Sequence, residues 1–260
     1  MLRLASFNVL HGRSLADGQV STERLVEACA SLDADVLALQ EIDRNQPRSG
    51  GVDQTRLVAE GTGAAAWRFE PALVGEPGAT WRAAADDDDP ASVDAGYGVG
   101  LVSRLPVLAW HVVRMRAAKV KAPVGVPGGR GRFIMLADEP RVVLAAEVET
   151  AAGVLIVATT HRSFVPGWNL VQVRRATRAL AALGPPCVLL GDLNFPGQVP
   201  ALVSRWRSLA KVATFPAGKP SMQIDHALGH GSLPAVAAAT ARELPLSDHR
   251  ALVVDFASSV

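Results

Sequence analysis

The chain has 260 residues, 49% of them hydrophobic and 20% charged, and a net charge of +1. That is enough apolar material for a large core in a single domain spanning 1–260. No 18-residue apolar run suggests a membrane span. The Ser6-Phe7-Asn8 motif follows Met1 so closely that no signal peptide is expected. Cys29 and Cys187 read as buried free thiols rather than a disulfide, which suits a monomer in the reducing cytoplasm.

The apolar runs are short and bounded by turn residues. Leu2–Val9 reads as a strand, and Thr22–Leu32 as an amphipathic helix N-capped by Ser21, with Leu25, Val26, Cys29 and Leu32 on one face. A second strand is expected at Asp35–Gln40 and a helix at Gln54–Gly63, ended by its glycine. Trp67–Leu73, Gly98–Ser103, Val107–Arg114, Arg141–Glu149 and Val154–Thr159 read as strands, the last two joined by a hairpin loop at Thr150–Gly153. A helix over Asn169–Leu183 precedes the apolar strand Cys187–Leu190, and Pro200–Trp206 reads as a short helix. Strands at Ile224–Leu228, Ala235–Thr240 and Ala251–Phe256 complete the chain. Strand–helix alternation at both ends and strand pairs in the middle predict an α/β fold of two packed sheets with helices outside.

Two segments resist assignment. Glu76–Asp94 carries Asp86-Asp87-Asp88-Asp89 and reads as a solvated loop or, alternatively, a metal-binding acid run. Ala117–Arg132 carries Lys119, Lys121, Arg130 and Arg132, and is either a phosphate-facing flap or a long hairpin end. Charge is uneven: residues 95–191 hold 12 Lys/Arg against 4 Asp/Glu, and the rest of the chain is acidic. A basic middle beside acidic motifs suits a polyanion and a cation held side by side, or is merely a solvated face with basic loops.

Polar groups recur where the apolar runs end. Glu41 follows Val36-Leu37-Ala38-Leu39, and Asp248 precedes Ala251-Leu252-Val253-Val254. Each is placed to take a hard divalent cation or is an ordinary surface acid. Asp192 and Asn194 follow Val188-Leu189-Leu190 at a spacing of two, which on a strand points both to one side. A carboxylate there can orient and deprotonate water while an amide donates to a phosphoryl oxygen; the other reading is a turn. His161 and His249 can donate to phosphate or act as acid and base, with Asp225 as the carboxylate behind His249, or they are structural. The spacing of Cys and His residues suits no zinc site. Charge neutralisation, an activated water and leaving-group stabilisation are the needs of phosphate-ester hydrolysis, and these residue types supply them.

Taken in order, Ser6-Phe7-Asn8, Leu39-Gln40-Glu41, Thr159-Thr160-His161, Gly191-Asp192-Leu193-Asn194, Ile224-Asp225-His226 and Ser247-Asp248-His249 resemble the endonuclease/exonuclease/phosphatase superfamily over nearly the whole chain. The resemblance implies a four-layer α/β sandwich of two mixed sheets packed face to face, with the site at one edge. It implies Mg²⁺ or Mn²⁺ held by Glu41 with Asn8 and Asp248 near it. It further implies that Asp192 orients the attacking water and Asn194 contacts phosphate. His249 would act with Asp225 on the phosphate or nucleophile, and His161 would stabilise the transition state. Arg48, in Arg48-Ser49-Gly50, follows the Glu41 strand as in many bacterial members and is either a phosphate fork or a surface-loop residue. The chain departs from the family pattern at His226, where an aromatic is frequent, and at Arg162, where Leu is frequent; both changes alter the pocket wall.

The expected function is therefore metal-dependent hydrolysis of a phosphodiester or phosphomonoester, in nucleic acid or in a small phosphorylated molecule or lipid headgroup. Aromatic content of 5% and basic residues partly gathered in one loop argue against a long preformed nucleic-acid track. The alternative is a non-catalytic phosphate- or nucleic-acid-binding module that kept the fold.

Overall fold

A computed structural model describes residues 1–89, 92–125, 133–184 and 186–257. In chain order the elements are β1 (Leu2–Asn8), α1 (Thr22–Ser31), β2 (Val36–Arg44), α2 (Gln54–Thr62), β3 (Ala66–Gly75), β4 (Trp81–Ala83), β5 (Gly96–Ser103) and β6 (Val107–Met115). Then follow β7 (Lys121–Gly125), β8 (Phe133–Ala137), β9 (Arg141–Thr150), β10 (Gly153–His161), α3 (Trp168–Ala181), β11 (Cys187–Asp192) and α4 (Val199–Ser204). β12 (Arg207–Ser208), β13 (Asp225–His230), β14 (Val236–Arg242) and β15 (Ala251–Phe256) end the series. Single-turn 3-10 helices lie at Leu10–Gly12 and Pro47–Ser49.

One sheet runs β14-β15-β1-β2-β5-β3-β4 and the other β12-β13-β11-β10-β9-β6. Both are mixed: β1 pairs with β2, and β10 with β11, in parallel, while the neighbouring pairs are antiparallel. Side-chain alternation splits each strand between two buried faces. On β1 and β2, Leu4, Val36 and Ala38 point between the sheets, where they meet Val142, Leu144, Val157, Val188 and Leu190. Ala5, Phe7, Leu37 and Leu39 point outward onto Leu25, Cys29 and Val58 of α1 and α2. The other sheet's outer face, with Ile156, Ala158 and Leu189, is covered by Val173, Ala176 and Leu180 of α3. Helix, sheet, sheet, helix is the four-layer α/β sandwich expected. As expected, Cys29 and Cys187 are both buried and no disulfide joins them.

Local signals account for several boundaries. The Ser21 hydroxyl accepts from the Arg24 amide at 3.1 Å and starts α1, and the Asp53 carboxylate does the same for Arg56 at 3.0 Å and α2. Gly63 takes the left-handed conformation that ends α2. The ambiguous basic segment is hairpin for the part described: β7 and β8 pair antiparallel, with Ile134, Met135 and Leu136 exposed. Arg130 and Arg132, counted in the flap reading, lie outside the described residues. In the acid run, Asp88 pairs with Arg82 at 2.7 Å and Asp86 with Arg114 at 2.9 Å, along a cavity that none of the predicted site residues line.

The intersheet core turns polar at one edge. The inward rows Leu4-Ser6-Asn8, Val36-Ala38-Gln40, Val157-Thr159-His161 and Val188-Leu190-Asp192 all run from apolar to polar toward it. Gln40 and Thr159 bind the sheets together there: the Gln40 amide donates to Thr159 Oγ1 at 2.9 Å across the interface. Gly191 makes the close approach of β10 and β11 possible. Its φ is +145°, and a Cβ on it would lie 1.9 Å from the Thr160 carbonyl oxygen. Gly191→Ala is expected to cost at least about 2 kcal/mol in urea denaturation and to displace the adjoining Asp192, cutting activity with it.

Candidate active site

Strand register builds half of the site as one rung. His161 of β10 stands beside Asp192 of β11, and Asp192 stands opposite Asp225 of β13. Two acids in cross-strand register repel unless a cation intervenes, and His249 is that cation. Its Nδ1 lies 2.8 Å from Asp225 Oδ2 and its Nε2 lies 3.7 Å from Asp192 Oδ2. Thr214 Oγ1 also donates to Asp225 Oδ2. Burial by itself would lower the His249 pKa, but Asp225, Asp192 and Asp248 raise it to about 10. The Phe215 ring packs on the imidazole at 4.9 Å.

The other sheet supplies the rest. A register shift after Gln40 makes a β-bulge, in which Glu41 takes a left-handed φ of 53°. The bulge turns the carboxylate to the edge, where Asn8 Nδ2 donates to Glu41 Oε1 at 3.0 Å and to Asp192 Oδ2 at 3.3 Å. One amide thus joins carboxylates of opposite sheets. Ser247, at φ 70°, donates to the Asn8 carbonyl at 2.6 Å and accepts from the His249 amide at 3.1 Å, tying the Ser247-Asp248-His249 loop to the end of β1.

Asp192 is the meeting point. The Asn194 amide donates to its Oδ1 at 2.8 Å, leaving Oδ2 to face Asn8, His161 and His249. Asp192 and Asn194 do reach one side, but through this turn, with Asn194 left-handed at φ 51°, rather than through strand pleat. The turn and the site are the same feature. Burial first, then Asp225 and Glu41, push the Asp192 pKa up to about 7 against the pull of His249. Glu41 is also raised, by burial and by Asp248.

His161 is neutral, because burial, Arg141 and His249 depress its pKa. Arg141 Nη1 lies 3.2 Å from its Nδ1. Asn194 Nδ2 lies 3.1 Å from its Nε2, so donor groups flank both ring nitrogens, and the neutral ring can accept from only one of them. Nε2 points into the cluster, 3.6 Å from Asp192 Oδ2 and 3.9 Å from Glu41 Oε1. Asn194 Nδ2 donates to the Arg162 carbonyl at 2.9 Å.

Of the predicted residues, Asn8, Glu41, His161, Asp192, Asn194, Asp225, Asp248 and His249 are brought together. Arg48 stands at the margin: it forks onto buried Asp43 at 2.7 and 2.8 Å and lies over the Tyr97 ring, within electrostatic range of Glu41. His226 is buried and donates to the Phe195 carbonyl at 2.8 Å, as a wall residue does. Sequence reasoning missed Gln40 as the cross-sheet tie, Thr214 behind Asp225, and Arg141. Arg141 opens a strand after Asp138-Glu139-Pro140, and its contact with His161 depends on sheet register that one sequence does not display.

Among the described residues, Asp192, Asp225 and His249 place one ligand-type atom each within 4.8 Å of one another. His249 Nδ1 is committed to Asp225, so that trio is already paired internally rather than open to an ion. The negative surplus lies with Glu41 and Asp192, both raised by burial and by neighbouring acids. Oxygen donors with excess charge fit a hard divalent cation.

The model of the Endonuclease/Exonuclease/phosphatase family matches residues 5–249. The chain belongs to this family. Its members are phosphoester hydrolases. Among solved structures, the chain is similar to an endonuclease/exonuclease/phosphatase from Beutenbergia cavernae, with 21% identity, a TM-score of 0.67, and coverage of 97% of this chain and 70% of that one. It is similar to a mannosyl-6-phosphatase from Bacteroides thetaiotaomicron at 14% identity, TM-score 0.63, covering 99% and 100%. It is also similar to truncated Caenorhabditis elegans TDP2 at 15% identity, TM-score 0.60, covering 98% and 97%. These likenesses concern the fold. No match was found among curated protein sequences. No helix among the described residues is long and apolar enough to cross a membrane.

Proposed function

We propose that the chain is a divalent-metal-dependent hydrolase of a phosphodiester or phosphomonoester. The observation that carries this is the convergence of Asn8, His161 and His249 on Asp192 Oδ2, 3.3 to 3.7 Å away, beside the Glu41 carboxylate. Mg²⁺ or Mn²⁺ would be held by Glu41, with Asn8 and Asp248 beside it, and would neutralise charge on the phosphoryl and leaving oxygens.

The chain's own groups do the rest. Asp192, its Oδ1 anchored by the Asn194 amide, orients a water through Oδ2 and takes its proton as the water oxygen attacks phosphorus and the ester oxygen leaves. His161 presents its Nε2 edge, and His249 the Nε2–H of an imidazolium fixed by Asp225, to the oxygens that gain charge. The Asn194 side-chain amide, 3.1 Å from His161 Nε2, would contact phosphate beside it. Arg48, whose Nη1 makes no hydrogen bond among the described residues, adds positive charge at the margin.

Two buried free thiols favour the reducing cytoplasm. The mannosyl-6-phosphatase among the neighbours supports keeping sugar phosphates in the substrate set beside nucleic acids and lipid headgroups.

The test is hydrolysis of bis(p-nitrophenyl) phosphate with and without Mg²⁺ or Mn²⁺. Turnover that requires the cation is expected. Glu41→Ala should raise the Mg²⁺ concentration for half-maximal rate on the order of 100-fold. An unchanged Mg²⁺ titration would remove Glu41 from the metal shell, and a folded wild type with neither turnover nor Mg²⁺ binding would overturn the reading.

A further inference from the structure

Arg141 faces two ways. On one side it touches His161; on the other it lines a cavity of about 200 Å³ outside the site described above. The cavity lies where the β3–β4 end of one sheet meets the start of β9 and the end of β6 in the other. Ala72, Ala83 and Ala84 form the small-residue wall. Arg114, Arg116, Arg141 and Arg175 are its charged lining, and among the described residues no carboxylate and no aromatic ring lines it.

The four arginines differ in how far their charge is balanced. Arg114 is held by Glu70 and Asp86. Arg116 and Arg175 are exposed and make no ion pair among the described residues. Arg141 is 4% exposed, meets Asp138 only at 3.5 Å and Glu139 at 4.0 Å, and its Nε has no hydrogen-bond partner. Behind it Arg162 is fully buried, donates to the Met115 sulfur, and leaves Nε and Nη2 unpartnered. Met115 is itself part of the cavity wall. Two buried guanidinium groups with unfilled donors are costly unless an anion comes to them.

We infer that this cavity is a second anion subsite, which takes a terminal phosphate of the substrate other than the one being cleaved. The inference deepens the phosphoesterase reading and rests on it for the word substrate. The volume is below that of a site for a whole small ligand, so it suits one group of a molecule whose scissile phosphate sits at Asp192. Without an aromatic ring to stack a base, the cavity favours a small bisphosphorylated molecule over single-stranded nucleic acid. Arg141 links the two subsites: an anion beside it draws on the same guanidinium that lies 3.2 Å from His161 Nδ1. The basic middle of the chain thus acquires a function, since all four arginines come from it.

The experiment pairs Arg116→Ala/Arg175→Ala with two substrates, bis(p-nitrophenyl) phosphate and a p-nitrophenyl phosphodiester carrying a second, terminal phosphate. Both substituted residues are exposed, so the variant should fold, checked by its melting curve. Wild type should prefer the second substrate in kcat/KM, and the ratio should fall about 10-fold or more in the variant, through KM. An unchanged ratio overturns the subsite. A 5′-phosphorylated dinucleotide as competitor checks the source: stronger competition than by a non-nucleotide bisphosphate of equal charge would overturn the small-molecule assignment. Calorimetric binding of inorganic phosphate separates this inference from the phosphoesterase reading. If wild type turns over neither substrate yet binds phosphate more tightly than the variant, the subsite stands and the hydrolase reading falls; equal phosphate affinity removes the subsite.

Discussion

Asp192→Asn should abolish turnover and leave the melting temperature unchanged or higher. Asparagine keeps an Oδ1 that can accept from the Asn194 amide, so the local turn survives. It cannot take a proton from water, and losing a positioned base costs about 10²–10⁴ in rate. Stability moves the other way because Asp192 is buried beside Asp225 and near Glu41, and their repulsion together with burial lifts its pKa to about 7. Neutralising one acid of such a cluster relieves that repulsion. Initial rates on bis(p-nitrophenyl) phosphate with Mg²⁺, alongside a thermal melt, check both halves. Near-normal turnover would rule Asp192 out as the base, and a large fall in melting temperature would show that its charge is needed to hold the fold.

His249→Ala should lose activity to a similar extent but with the opposite stability. Asp225 is fully buried, and without the imidazolium at 2.8 Å its carboxylate retains Thr214 as a partner but no cation. Breaking a buried pair from one side costs about 3–5 kcal/mol. The Phe215 ring also loses the imidazole tilted against it. Adding Asp225→Asn to His249→Ala should recover much of the stability and none of the activity, since it removes the stranded charge without restoring a donor. Urea denaturation of the two single variants and the double variant reads this directly. A His249→Ala protein as stable as wild type would mean that the His249–Asp225 contact does not hold the fold.

How far the sequence discloses this site depends on how local each signal is. Strands and helices were legible because apolar runs, the Ser21 cap and the Gly63 stop are local, and Ala251–Phe256 is found with the expected bounds. The sequence pattern ends the second strand at Gln40, yet β2 runs to Arg44. The reason is the bulge at Glu41, which interrupts alternation without ending the ladder. That bulge is also what delivers the carboxylate. The short strands β4 and β12 carry too few residues to show a period. Asp192, Asp225 and His249 were legible as types at strand ends, whereas the rung joining His161, Asp192 and Asp225 is a matter of register between distant segments. Arg162 looked like a change in the pocket wall and proves to be a fully buried cation behind Met115, a placement set by packing rather than by any motif.

The tie between Gln40 and Thr159 holds two half-sites in register, and neither half is competent alone. Glu41 and His249 come from one sheet's strands and loops, while Asp192 and Asp225 come from the other. A chain with every strand formed but its sheets undocked would have its full secondary structure and no chemistry. In the proposed reading, activity therefore depends on sheet docking as well as on the strands themselves, and a shear between the sheets too small to alter the circular dichroism is expected to lower activity first.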